Sequence, residues 1–213
     1  MKHSVSHWVC LFALVALPVV GCGDENTAAG GSSGTGGSAG AGGGGTGGEV
    51  AADIAKARAA TERYKSLENA IDDGYEESGI LPCVAHNGWR FANFAHFVLA
   101  QVNPPDIEKP VNLVYDRQQD GSFTLVAVEY VTSGTSEAPT LFGQKMDGLI
   151  CLPNDFPPSY ALHVWLWKDN PDGMFQHYNS TVSADVCVAD GEDRGVPFPP
   201  YCETGIPPAP PWL

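Results

Sequence analysis

Positive charge is scarce in this sequence. Eleven lysines and arginines stand against 25 aspartates and glutamates, which gives a formal net charge of −14 at pH 7. Nucleic-acid binding depends on clustered lysine and arginine side chains that neutralise phosphates. The sequence therefore predicts no nucleic-acid partner, and anionic lipid headgroups would repel such an acidic domain.

Motifs that carry well-known chemistry are also missing. The sequence has neither a Gly-x-Ser-x-Gly motif for a nucleophilic serine nor a Cys-x₂-Cys pair for zinc. Its glycine run is not a phosphate-binding loop, because no strand precedes it and no Lys-Ser or Lys-Thr follows. The later histidines form no His-x-His or His-x₃-His pair; they are His86, His96, His163 and His177. The sequence therefore predicts no cofactor and no bound metal.

The apolar run from Trp8 to Val20 is too short to span a bilayer as a helix. It follows a basic residue, Lys2, and ends in Val19-Val20-Gly21-Cys22. An aliphatic residue, then a small residue, then cysteine resembles the bacterial lipoprotein signal. We therefore expect residues 1–21 to be removed as a signal peptide and Cys22 to carry lipid. The alternatives are an ordinary secretory signal and an apolar stretch with a chance cysteine.

A low-complexity segment follows the predicted lipid site. Residues 30–48 contain only glycine, serine, threonine and alanine, a composition that forms a flexible coil. Residues 22–48 are therefore predicted to tether a domain to the membrane, with a mean reach of about 29 Å at roughly 5.5 Å × √n. The predicted partner is the membrane, through the lipid anchor. The predicted location is the bacterial cell envelope, facing the periplasm or the exterior.

Four cysteines remain beyond the lipid site: Cys83, Cys151, Cys187 and Cys202. An even number of cysteines in an exported chain favours two disulfide bonds. The spacing leaves all three connectivities open.

Residues 49–194 are predicted to form a single α+β domain. Apolar residues recur at steps of three and four over 49–78, which predicts one long N-terminal amphipathic helix. Strands are predicted at 88–94 and 160–167, and a hairpin at 111–132 that turns at Asp120-Gly121. We expect a curved, mostly antiparallel sheet against the helix, with a nuclear-transport-factor-like cone as the alternative. Residues 138–158 read as an irregular loop, and the proline-rich residues 195–213 as an extended tail.

Several segments together resemble an uncharacterised family of exported bacterial proteins, hypothetical lipoproteins without an established activity. The resemblance lies in residues 64–84, 113–131 and 138–144, in "LHVWLWKDNPDGMF" at 162–175, and in Cys187. It implies export and a Cys83–Cys187 disulfide, which leaves Cys151 to pair with Cys202. Family members often read Gly-Met-Gly-Tyr-His where this chain reads "AHNGWRF", so Arg90 stands where their usual histidine falls.

Glu129 and His163 are the main candidates for chemistry. Each lies in a predicted strand among apolar residues, where a charged group is costly unless it is paired. Arg90 is a natural partner for Glu129. We therefore predict that these three side chains lie on one side of the sheet in one polar cluster. The cluster is either structural, or it supplies acid/base groups or metal ligands.

The aromatic residues Trp89, Trp165 and Trp167 could line a ligand cavity, although such residues more often form the core. We predict a lipid-anchored envelope protein whose role is to bind a ligand or a partner. An envelope enzyme that uses Glu129 and His163 is the first alternative. A purely structural surface protein is the second.

Overall fold

The structure is a computed structural model that describes residues 47–133, 137–152, 157–189, 192–196 and 202. All of them lie in one compact unit, residues 41–213. The predicted signal peptide, Cys22, nearly all of the tether and most of the proline-rich tail lie outside the described residues. None of the helices in the described ranges has both the length and the apolar composition of a transmembrane span.

The described chain combines helices with short and long strands. The helical segments are α1 (Gly47–Thr61), a 3₁₀ turn (Glu62–Lys65), α2 (Leu67–Asp72), α3 (Phe94–Val102) and a 3₁₀ turn (Ala184–Cys187). The strands are β1 (Glu76–Glu77), β2 (Cys83–Val84), β3 (Gly88–Ala92), β4 (Asn112–Arg117), β5 (Phe123–Ser133), β6 (Thr140–Leu141), β7 (Gln144–Lys145), β8 (Asp147–Ile150), β9 (Ser159–Val164), β10 (Val188–Ala189) and β11 (Glu192–Asp193).

A seven-stranded antiparallel sheet forms the centre of the domain. Its order is β1-β3-β4-β5-β9-β8, with β2 also paired to β3. The hairpin of β4 and β5 turns at the predicted Asp120-Gly121, where Gly121 has a φ of 85° and Asp120 Oδ1 accepts the Ser122 N–H. The α+β class and the mostly antiparallel sheet are therefore confirmed.

One face of the sheet carries the larger core. Side chains at alternate positions of β3, β4, β5 and β9 lie on this face: Trp89, Phe91, Leu113, Tyr115, Val128, Tyr130, Leu162 and Val164. The helical segments at 47–72 cover it, since Tyr115 Oη donates to the Tyr64 carbonyl at 2.7 Å and Ala57 is fully buried.

The other face lies under α3. Phe97 and Ala100 of this helix pack on a smaller apolar cluster formed by Val111, Val131, Ile150 and Ala161. Both faces of β5 and β9 are therefore covered, which agrees with their almost continuous burial.

Three local predictions differ from the structure. The continuous helix expected over 49–78 is interrupted at Ser66, whose backbone is extended, and α2 ends before Gly74, whose φ is 87°. Residues 138–158 hold three short strands rather than only loop. Helix α3 was not predicted; it starts where the Asn93 side chain accepts the His96 N–H at 3.1 Å, a typical N-cap.

Two disulfides join distant parts of the chain. Cys83 pairs with Cys187 and Cys151 with Cys202, at Cα–Cα distances of 5.4 and 5.1 Å. This is the pairing that the family resemblance implies. Disulfides are typical of proteins outside the reducing cytoplasm. The second bridge ties part of the tail to the sheet, because the Cys202 N–H also donates to the Leu149 carbonyl at 2.9 Å.

Candidate functional site

Strand register brings the candidate polar residues together. Glu129 of β5 lies directly opposite Asn112 of β4 and His163 of β9. Residues that face each other across a ladder point to the same side of the sheet. Arg90 of β3 pairs with Val114, two positions from Asn112, and therefore shares this side. The predicted cluster of Arg90, Glu129 and His163 is present, on the face covered by α3.

The Glu129 carboxylate is the centre of the cluster. Its Oε2 accepts hydrogen bonds from Arg90 Nε at 3.0 Å and from Asn112 Nδ2 at 2.7 Å. Its Oε1 lies 3.8 Å from His163 Nδ1, too far for a direct hydrogen bond. Only 1% of Arg90, 4% of Glu129 and 0% of His163 is exposed, so the ion pair is shielded from solvent.

A second layer of polar contacts holds the Arg90 guanidinium. Its Nη2 donates to Asn87 Oδ1, and Asn87 Nδ2 donates to the His177 carbonyl at 2.6 Å. The His177 ring lies 5.9 Å from the His163 ring, centroid to centroid. Asn87 lies in the turn between β2 and β3, and this turn requires a glycine at position 88. Gly88 has a φ of 105°, and an added Cβ would lie 2.7 Å from the Val114 side chain.

Sequence reasoning missed Asn87, Asn112 and His177 as members of this cluster. Asn87 sits in an Asn-Gly pair, which indicates a turn but not a contact with a buried arginine. Asn112 is a polar residue at the start of a mainly apolar strand, and this was the signal in the sequence for a buried polar contact. Nothing in the sequence indicates that His177 lies beside His163, because the two are brought together by a loop.

Burial and charge set the ionisation of the cluster. Burial is the largest single effect and opposes a charged Glu129, but the Arg90 guanidinium together with His163 and His177 outweighs it and holds the pKa of Glu129 well below its usual range. Burial lowers the pKa of His163, although the Glu129 carboxylate opposes the shift. Burial also lowers the pKa of His177 to about 3, and His163 adds to the effect. At neutral pH the cluster holds one cation, one anion and two neutral imidazoles.

We expect the free energy of unfolding to fall as the pH drops below about 6.5, the ordinary histidine pKa. The unfolded chain then takes up protons that folded His163 and His177 do not, because their folded pKa values are lower. Each histidine contributes at most about 1.4 kcal/mol per pH unit. Glu129 adds a further loss at lower pH, as the carboxylate of the unfolded chain protonates before the folded one.

Urea unfolding between pH 4.5 and 7.5 measures this dependence. A His177→Gln variant should show a shallower slope below pH 6.5 than the wild type. Equal stability of the wild type at pH 7 and pH 5 would contradict the assignment of neutral buried imidazoles.

A cavity of about 240 Å³ opens beside the cluster. Arg90, Asn112 and Glu129 contribute its polar wall. Its apolar wall comes mainly from the sheet, from α3 and from the loops around residues 80 and 152. It includes Ile80, Leu81, Phe94, Phe97, Val111, Val131, Ile150, Leu152 and Ala161. An apolar concavity with a few convergent polar groups is the usual form of a small-molecule site.

Acidic side chains stand at the edge of this cavity. Glu76 and Glu77 of strand β1 line it and are exposed. Glu77 is paired with Arg194 at 3.1 Å. The cavity therefore combines a neutral ion pair inside with the negative charge of Glu76 at its edge.

The three candidate tryptophans do not line the cavity. Trp89 packs on the opposite face, with its ring 5.6 Å from that of Phe123. Strand β9 ends at Val164, so the alternation expected through residue 167 stops there. Trp165 Nε1 donates to the Gln176 carbonyl at 2.7 Å, and Trp167 lies under the ammonium of Lys65. His163 is likewise buried behind the cavity wall rather than part of it.

Among the described residues, no three histidine, cysteine, aspartate or glutamate side chains are grouped so as to hold a metal ion. No protein-family model, curated protein or solved structure matches the chain.

Proposed function

We propose that this protein binds a small, mainly apolar molecule in the cavity between the sheet and α3. The single observation that carries the proposal is the cavity itself, whose walls are mostly apolar and which ends at one buried ion pair. At about 240 Å³ it lies just below the range of roughly 300–1,000 Å³ that is common for ligand pockets. The ligand is accordingly smaller than most drug-sized molecules.

The geometry favours binding over the alternative of acid/base catalysis by Glu129 and His163. A catalytic base must reach its substrate, directly or through one water. His163 is fully buried and does not line the cavity, while Glu129 is ion-paired with Arg90, and its lowered pKa makes it a weak base. The polar cluster therefore serves to shape and polarise one wall of a binding site.

The proposed setting is the bacterial cell envelope. The signal-like residues 1–21, Cys22 and the glycine-rich tether support a lipid-anchored domain, and the resemblance to exported hypothetical lipoproteins supports the same setting. The two disulfides are consistent with it. A curved sheet that closes over a pocket, as in a nuclear-transport-factor-like cone, is the architecture we propose for the whole domain.

Replacing Cys22 with alanine is expected to release the protein from membranes and to abolish palmitate labelling. Each buried CH₂ group of the lipid contributes about 0.8 kcal/mol to the free energy of membrane binding. Several acyl chains together therefore anchor the protein stably. Membrane fractionation and labelling in a bacterial host measure the effect. Cys10→Ala, inside the predicted signal, is the matched control and should still be lipidated. Wild-type protein that carries no label, or that begins at another residue, would contradict the anchor.

The binding proposal is tested with toluene, which fits an apolar cavity of this size. A methyl NMR titration of the folded domain is expected to give saturable shifts at Val111, Val131 and Ile150. Filling the cavity with Ala161→Leu should abolish them. Ala59→Leu, the same exchange on the exposed surface of α1, should leave them unchanged. Absence of saturable shifts at these three residues in the wild type would overturn the proposal.

A further inference from the structure

Helix α3 exposes apolar side chains on its outer side. Six large apolar side chains are exposed in the described residues, and four of them lie on this helix: Phe94, Val98, Leu99 and Val102. Positions 94, 98 and 102 follow one another at steps of four, and the exposed Ala95 and Leu99 lie beside them on the helix surface. These five residues form one continuous patch, which we call the α3 stripe. Contiguous exposed apolar patches mark surfaces that contact a partner or a membrane.

The polar side chains of α3 are bonded to the domain instead of facing solvent. His96 Nδ1 lies 3.0 Å from the Pro110 carbonyl, and Gln101 Oε1 accepts the Ser133 N–H at 2.9 Å. No residue of the helix is charged. A surface helix usually buries its apolar side and exposes its polar side, so the usual arrangement is reversed here. Such a helix fits a position between the apolar sheet and a second apolar surface.

A lipid bilayer is the apolar surface that the chain itself brings to the stripe. The proposed lipid on Cys22 and the predicted tether at 22–48 would hold the domain near the bilayer, with a mean reach of about 29 Å at roughly 5.5 Å × √n. Tethering raises the effective concentration of the bilayer, so a weak affinity of the stripe is sufficient. A helix of nine residues is too short to span the bilayer but can lie in its interface.

The charges near α3 determine which lipid surface fits it. Asp106 and Lys109, which line a hollow together with Leu99, are paired with each other at 3.3 Å. Glu76 is exposed at the edge of the cavity, and the whole chain has a formal net charge of −14. Anionic headgroups would repel this acidic domain, whereas a zwitterionic surface would not. The uncharged stripe therefore matches a neutral bilayer surface.

We propose that the α3 stripe lies in the headgroup region of a neutral bilayer, as a second membrane contact beside the lipid anchor. Phe94 belongs both to the stripe and to the cavity wall, and Phe97 of the same helix also lines the cavity. The contact therefore places the cavity next to the lipid, where small apolar molecules accumulate. This inference rests on the proposed envelope setting and names the surface that the binding site adjoins.

Vesicle binding of the unlipidated chain measures the stripe without the anchor. The chain from residue 22 onward, with Cys22→Ala and both disulfides formed, is titrated with phosphatidylcholine vesicles at pH 7. Val98→Glu should weaken its partitioning into the vesicles by at least fivefold, because a charged side chain then faces the apolar region of the interface. Phosphatidylglycerol added to the vesicles should weaken the binding of the wild-type stripe.

Val188→Glu is the matched control, since Val188 is 43% exposed and Val98 is 47% exposed. The Val188 carbonyl accepts a hydrogen bond from Arg117 at the end of β4, whereas the residue before α3, Asn93, donates to the Val111 carbonyl at its start. The control substitution should therefore change partitioning less than twofold.

Several results would overturn the inference. They are equal losses for the two glutamate variants, no vesicle binding by the Cys22→Ala chain, or equally tight binding to phosphatidylglycerol vesicles. Sedimentation without lipid provides a further check. A dimer that Val98→Glu converts to a monomer would assign the stripe to a second copy of the chain instead.

Paramagnetic relaxation locates the contact without a substitution in α3. Doxyl-labelled phosphatidylcholine in a nanodisc should broaden the methyl signals of Val98, Leu99 and Val102 more than those of Val188. Broadening at Val188 that equals or exceeds theirs would overturn the inference, and this result decides if Val98→Glu does not fold.

Toluene binding separates this inference from the proposed function. Val98 does not line the cavity, so Val98→Glu should change the dissociation constant of toluene less than twofold. A wild-type chain that binds toluene but not vesicles would overturn the membrane contact and leave the cavity function intact. Vesicle binding through the stripe without toluene binding would do the reverse. Missing palmitate on Cys22 would refute the anchor, and the vesicle titration would still decide the stripe.

Discussion

Replacing Glu129 with glutamine is expected to lower the free energy of unfolding by about 3 kcal/mol. The change removes the only charge that the structure places against the buried Arg90 guanidinium within the described residues. It also turns one carboxylate oxygen into an amide donor. The remaining oxygen cannot serve Arg90 Nε and Asn112 Nδ2 as well as the charged carboxylate does. Urea unfolding of the oxidised domain at pH 7 measures the loss.

Glu108→Gln is the matched control, because it is the same substitution at an exposed position. It should alter the unfolding free energy by less than about 0.5 kcal/mol. A similarly small effect for Glu129→Gln would show that the buried ion pair contributes little to stability. If that variant kept its stability but lost toluene binding, the cluster would serve the ligand rather than the fold.

Removing the Cys83–Cys187 disulfide, by changing both residues to alanine, is expected to cost about 4–5 kcal/mol of unfolding free energy. The bridge closes a loop with a sequence separation of 104 residues, so it strongly restricts the unfolded chain. Both cysteines are also buried in the main core, and their loss removes packing as well. The measurement is chemical unfolding of the double variant beside the wild type, both without reductant.

The Cys151–Cys202 bridge provides the comparison. Its sequence separation is 51 residues and its cysteines are only half-buried, so its removal should cost less, about 4 kcal/mol or below. Peptide mapping without reduction must first show both bridges in the exported protein. Crossed connectivity, or a larger loss for the second bridge than for the first, would contradict this ranking.

Local patterns predicted the parts of the fold that depend on neighbouring residues. The alternation in 111–132 and the Asp120-Gly121 pair predicted the central hairpin, because a two-residue period and a glycine turn directly specify that geometry. Helix α3 could not be predicted from local patterns. Its apolar residues suggest no amphipathic face, since Phe94, Val98 and Val102 are exposed while Phe97 packs on the sheet.

The cluster could be predicted in part because buried charge obeys a general rule. Glu129 and His163 each sit among apolar strand residues, and an unpaired charge there would be too costly. That rule requires a partner, and Arg90 was the available cation. It does not identify Asn87 or Asn112, since an amide can be accommodated in many surroundings.

The sequence by itself determined the acidic composition, the antiparallel hairpin and the requirement that a buried Glu129 carboxylate be paired with a cation. These features follow from residue types and short-range periodicity. The tertiary structure decided that Arg90, Asn112 and Glu129 share one cavity wall and that His163 lies behind it. It also decided that the three candidate tryptophans lie away from the cavity. Strand register, the start of α3 and the loop around His177 set these relations, and each depends on contacts between residues far apart in the chain.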